Sequence, residues 1–122
     1  MTPEQQLLQQ KARRALEAAQ ASLVRRDAET AVNRAYYAAF YVATAWAHQM
    51  GETPRTHKGL HLLWNRHLRD QLPPHLATFL SYAFQIRQRA DHDAATVFDL
   101  GAAADLVRDA VQFVEAVENL LT

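Results

Sequence analysis

Two residues in this sequence combine types and spacing that could act on a phosphodiester, Arg87 and His92, in the run Arg87-Gln88-Arg89-Ala90-Asp91-His92. A planar guanidinium binds phosphate oxygens through paired hydrogen bonds, and an imidazole exchanges protons near neutral pH. Arg87 continues the inward row of Leu80 and Ala83, whereas Arg89, ~200° further round a helix, points away. An inward arginine needs an anion. On an unbroken helix the five-residue step sets Arg87 and His92 ~140° apart, so they meet only if the helix ends first or if two subunits converge. The same residues also fit a simpler arrangement, with Arg87 paired to an internal acid such as Asp99 and His92 solvated in a loop.

Other chemistries lack parts. Of the 6 histidines, His57 and His61 stand one turn apart and could share a metal, but a zincin helix places glutamate directly after the first histidine, where this chain has Lys58. The expectation is two partly exposed histidines at a helix start. His48, His67 and His75 have no companions at ligand spacing. With no cysteine there is no thiolate nucleophile, thiolate metal site or disulfide, and Ser22 and Ser81 fall in helical stretches without a histidine pattern beside them. Glycine-rich phosphate loops are missing too, and Asp91 and Asp93 read first as helix-end and turn residues. Neither a metal nor a cofactor is therefore expected. The 13 basic and 13 acidic side chains cancel, so any anion site must be local rather than a chain-wide field.

The elements that must position these residues are helices. Only 3 glycines and 4 prolines interrupt 122 residues that are 49% hydrophobic, enough for one core and one domain over 1–122. Thr2-Pro3-Glu4-Gln5 is a helix start with a capping box, and Leu8, Ala12, Ala15, Ala19 and Leu23 then recur at helical spacing to about Arg26. Asp27 caps a second helix that runs to about Gln49, before Gly51, a residue suited to the left-handed turn that closes helices. From Ala35 to Ala47 this helix is apolar or aromatic on nearly every side. It is shorter than the ~20 apolar residues of a membrane span, and its tyrosines want polar partners. A central helix that also touches a second subunit is expected, with no membrane association. A third helix should begin at His57 and reach about Leu72, with Leu60, Leu63, Trp64 and Leu68 inward. Pro73-Pro74 breaks the chain, and a fourth helix from near His75 carries Leu76, Phe79, Leu80, Ala83 and Ile86 before faltering near Asp91-His92-Asp93. Asp99 caps the last helix, whose inner row is Leu100, Ala103, Val107, Val111, Val114, Val117 and Leu121. The fold class is all-α, an up-and-down bundle of about five helices. The polar start, Met1 to Gln10, does not have the pattern of a secretory signal, so a cytoplasmic protein is expected.

Three stretches in order, Asn33-Arg34-Ala35-Tyr36-Tyr37-Ala38-Ala39-Phe40-Tyr41, Thr56-His57-Lys58-Gly59-Leu60 and Arg87 to His92, resemble the HEPN domains, named for a nucleotide-binding domain of higher eukaryotes and prokaryotes. The third matches that family's arginine, four to six intervening residues, then histidine. The resemblance implies a dimeric bundle in which Arg and His of both subunits line one cleft, in many members a metal-independent endoribonuclease. It implies that His92 serves as general acid/base on RNA and that Arg87 stabilises phosphate charge. Such members resemble toxins of toxin–antitoxin pairs, restrained by a nucleotidyltransferase of the MNT type, which becomes the implied partner beside a second copy and the RNA substrate.

Around the pair, Gln88 stands where the family often has a shorter polar side chain, and Ala94 where some members carry a tyrosine that the partner modifies. Asn33 and Arg34 could support the cleft or cap and solvate the aromatic helix, and Asp91 could join them. Tyr36 and Tyr37 could stack on bases or simply fill the core. The rival to a ribonuclease is a non-catalytic module that binds a nucleotide or docks a partner.

Overall fold

Thr2 opens the first helix as its side chain dictates. In the computed structural model, which describes residues 1–68, 70–92 and 98–122, the Thr2 hydroxyl accepts from the Gln5 backbone N–H at 3.1 Å and Gln5 Oε1 accepts from the Thr2 N–H at 2.8 Å. The same Gln5 side chain donates to the Ala45 carbonyl at 3.2 Å, so one residue caps its own helix and ties it to the next. Among the described residues there are six helices and no strands: α1 (Pro3–Val24), α2 (Ala28–Gln49), α3 (His57–His67), α4 (Pro74–Ala77), α5 (Phe79–His92) and α6 (Leu100–Glu118). None is long and apolar enough to cross a membrane.

α1 ends on Arg26 in the left-handed region at φ 63°, with the Asp27 N–H returning to the Ser22 carbonyl at 2.8 Å. Asp27 then caps α2 by accepting from the Thr30 N–H at 3.1 Å, and Gly51 at φ 82° closes its far end. α2 packs against α1, α3, α5 and α6, which is why an apolar residue on almost every side of it is tolerated. Toward α1 the core is built of alanines, with Ala12, Ala15 and Ala19 of one helix and Ala31, Ala35, Ala38 and Ala39 of the other all buried. Larger rings fill the opposite end of the core, where Trp64 lies edge-on to Trp46 at 5.3 Å and 5.0 Å from Phe113.

Four details depart from the sequence reading. α3 stops at His67 rather than near Leu72: the Gln71 backbone N–H turns to the Leu68 carbonyl at 3.2 Å, and the His67 carbonyl that a continuing helix would offer it accepts from the Gln71 side chain instead. The expected fourth helix is two. Trp64 Nε1 donates to the Ala77 carbonyl at 2.9 Å, and Thr78 Oγ1 turns back to the Pro74 carbonyl at 2.9 Å, so α4 ends there and α5 begins at Phe79. Asp99 does occupy the N-cap position of α6, with extended backbone, but its side chain makes no capping hydrogen bond. The inner stripe of α6 is also wider than the expected row, taking in Leu106, Ala110 and Phe113.

Candidate functional site

Arg87 lies on α5 with its side chain 21% exposed, and α2 supplies the surface beneath it. Its guanidinium carbon is 4.9 Å from the Tyr37 ring centroid and 5.5 Å from that of Tyr36, a cation over two electron-rich faces. Its Nε is 3.3 Å from Asp91 Oδ2, one turn along the same helix. That contact is ionic rather than an aligned hydrogen bond, since the buried Nε has no hydrogen-bond partner among the described residues. The acid beside Arg87 is thus its i+4 neighbour Asp91, not Asp99.

Two more of the expected residues join this group from α2. Asn33 Oδ1 accepts from Arg34 Nε at 3.1 Å and from Arg34 Nη2 at 2.8 Å, and the Arg34 guanidinium sits 5.0 Å from the same Tyr37 ring that Arg87 covers. Asn33 and Asp91 share a concavity with Glu29 and Thr30. The capping alternative for Asn33 and Arg34 falls away, because Asp27 already holds that end of α2. Tyr37, half-buried, therefore gathers two guanidinium groups, while Tyr36 is fully buried.

His92 and Gln88 are elsewhere. α5 runs through Asp91 and His92 without a break, and its exposed face of Gln85, Gln88, Arg89 and His92 lines an open depression in which Arg87 takes no part. Helical geometry puts His92 ~140° round α5 from Arg87, so the first of the two routes to a joint site, a helix ending between them, is overturned. Only convergence of two copies would bring them together. His92 is helical and exposed, not in a loop. Asp93 and Ala94 lie outside the described residues.

The structure adds a cluster that the residue patterns had set aside. His57 and His61 are half-buried and turn inward onto Tyr36, whose hydroxyl oxygen is 2.6 Å from His57 Nδ1 and 3.2 Å from His61 Nε2. The His57 ring stacks on Phe40 at 4.3 Å and 21°, and His61 meets Phe84 edge-on at 4.9 Å. Burial pushes His61 down to about 4, helped by the neighbouring His57. Burial first and then the Arg87 charge lower His57, and burial raises the Tyr36 phenol against the opposing pull of Arg87. Both imidazoles are accordingly neutral at pH 7. They have no third His, Cys, Asp or Glu with them to hold a metal among the described residues. The sequence did carry a signal for this cluster: tyrosines in an apolar helix need polar partners, and a histidine pair at i, i+4 offers two on one face.

A family model described as the HEPN domain matches residues 5–120. The chain belongs to the HEPN family. This HEPN chain is also similar to two curated relatives. It is 29% identical over 113 residues to the UPF0332 protein of Thermotoga maritima, covering 91% of this chain and 86% of that one. With the UPF0332 protein of Archaeoglobus fulgidus it shares 29% over 92 residues, 75% of this chain and 74% of that one. The matched span of the HEPN model takes in both halves of the site, the Asn33–Tyr37 stretch on α2 and the Arg87–His92 stretch on α5.

Proposed function

We propose that this HEPN domain, as one unit over 1–122, is a metal-independent endoribonuclease whose site forms where two copies meet. Arg87 of one copy grips a phosphodiester, and His92 of the second serves as general acid/base. The RNA 2′-oxygen attacks phosphorus as its proton passes to a base. The bond to the 5′-oxygen breaks and that oxygen takes up a proton, leaving a 2′,3′-cyclic phosphate and a 5′-hydroxyl. Charge building on the phosphate oxygens is what a guanidinium stabilises, and proton transfer is what an imidazole does near neutral pH. In this reading the enzyme is a cytoplasmic toxin restrained by an MNT-type nucleotidyltransferase antitoxin. The observation that carries it is the placement of Arg87 in a HEPN chain: partly exposed, braced over Tyr36 and Tyr37, with Asn33, Arg34 and Asp91 around it.

One observation favours a second reading, a HEPN module that binds a nucleotide or docks a partner without turnover: within one chain Arg87 and His92 face different ways. RNA incubated with wild type, Arg87→Ala and His92→Ala in the presence of a chelator separates the two. The ribonuclease reading expects cyclic phosphate ends from wild type only, with both variants folded by circular dichroism. Cleavage by His92→Ala at the wild-type rate overturns the assigned chemistry, and nucleotide binding without cleavage favours the second reading.

A further inference from the structure

His57, not His92, is the histidine that shares the surroundings of Arg87 within one chain. Its ring centroid is 5.7 Å from that of Tyr36 and 6.0 Å from that of Tyr37, the two rings that the Arg87 guanidinium covers at 5.5 and 4.9 Å. Packed around it are Tyr36, Tyr37 and Phe40 from α2, His61 from its own helix, and Phe84 and Arg87 from α5.

The bonding around Tyr36 orders the protons. A hydroxyl has one hydrogen and cannot donate to both imidazoles. The 2.6 Å separation suits O–H donation to His57 Nδ1, and 3.2 Å suits the longer N–H bond, with His61 Nε2 donating to the hydroxyl oxygen. The direction is then His61 to Tyr36 to His57. With Nδ1 engaged as an acceptor, the proton of neutral His57 sits on Nε2, on the side of the ring turned away from the buried hydroxyl. Among the described residues Nε2 has no hydrogen-bond partner, and His57 keeps solvent contact at the first position of α3.

We infer that His57 is a binding residue of the Arg87 site, donating its Nε2–H to an oxygen of the RNA phosphate that Arg87 pairs with, and that Tyr36 and His61 are positioning residues that fix the tautomer. The inference rests on the reading that Arg87 binds an RNA phosphodiester, and it deepens it by placing a second phosphate donor in the same chain. A neutral donor suits the place. A protonated imidazole beside Arg87 would add a second positive charge in a half-buried site, whereas the neutral N–H contributes direction and hydrogen bonding without that repulsion.

The probe is an RNA oligonucleotide 2′-O-methylated throughout, which can bind but not be cut. Long-range proton–nitrogen NMR on the free protein is expected to show His57 with Nε2 protonated and Nδ1 bare. The oligonucleotide should shift His57 Nε2, and His57→Ala should weaken binding about tenfold. His57→Gln, whose amide can reach the Nε2 position, should recover part of it, and stands in if the alanine variant does not fold. Tyr36→Phe should keep the helices but lose the single-tautomer signature. Binding by His57→Ala and His57→Gln equal to wild type, an unshifted Nε2, or no binding by wild type overturns the inference. If wild type cuts no RNA yet binds the oligonucleotide through both Arg87 and His57, the inference holds and the ribonuclease reading falls. If RNA is cut and His57 is indifferent, the reverse is concluded.

Discussion

Acid should loosen this fold through the His61–Tyr36–His57 cluster before its carboxylates titrate. His61 is pushed down to about 4 in the folded chain, against about 6.5 for an unperturbed imidazole in the unfolded one. Between those values the unfolded chain binds a proton that the folded chain refuses, so stability is complete above about pH 6.5 and declines as pH falls toward 4. For a fully buried group the linkage between pH 7 and pH 5 would come to about 2 kcal/mol. His61 retains partial solvent contact, and screening reduces the expected loss to about 1 kcal/mol. His57, lowered for the same reason of burial and by Arg87, acts in the same direction. In a domain of this length 1 kcal/mol corresponds to a melting shift of roughly 3–6 °C. Urea unfolding followed by circular dichroism at pH 7 and pH 5, on wild type and His61→Gln, measures the effect. Wild type should lose about 1 kcal/mol more than the variant over that interval. Equal pH dependence in the two proteins would refute the assignment of a neutral, half-buried His61 bonded to Tyr36.

Further outcomes follow from the packing and the caps. Asp27→Ala, which removes the acceptor of the Thr30 N–H, should cost about 1 kcal/mol in urea unfolding. Asp99→Ala should cost less than about 0.5 kcal/mol by the same measurement, because Asp99 makes no capping bond. Trp64→Phe leaves the Ala77 carbonyl without its indole donor and thins the contacts to Trp46 and Phe113. It should lower stability by about 1–3 kcal/mol, and amide exchange should quicken first around α4. Ala39→Leu adds bulk at a position with no exposed surface, and should destabilise by about 1–3 kcal/mol, seen as a lower melting temperature.

Much of the fold was legible because its punctuation is local. Thr2 with Gln5, Asp27, Gly51 and Pro73-Pro74 each act on backbone groups within a few residues, so the helix starts and stops they mark need no knowledge of the rest of the chain. The all-round apolar stretch of α2 announced a central helix for an equally simple reason: every exposed side of it would have cost free energy in water. Where a distant partner intervenes, the local reading stopped short. The Trp64 indole reaches the Ala77 carbonyl, thirteen residues on, and divides what periodicity read as one helix.

The site divides along the same line. From the sequence alone came the family likeness, the candidates Arg87, His92, Asn33, Arg34, Gln88 and Asp91, and the ~140° between the first two on a continuous helix. Tertiary structure decided that the helix is in fact continuous through His92, that Arg34 and Arg87 meet over Tyr37, with Asn33 bonded to the first and Asp91 beside the second, while His92 and Gln88 lie elsewhere, and that His57 and His61 belong to Tyr36. Helical periodicity says which side of a helix turns inward. It says nothing about which residue, 21 or 25 positions away in the case of those two histidines, is waiting there, because that depends on how separate helices dock, and docking is settled by the whole core at once.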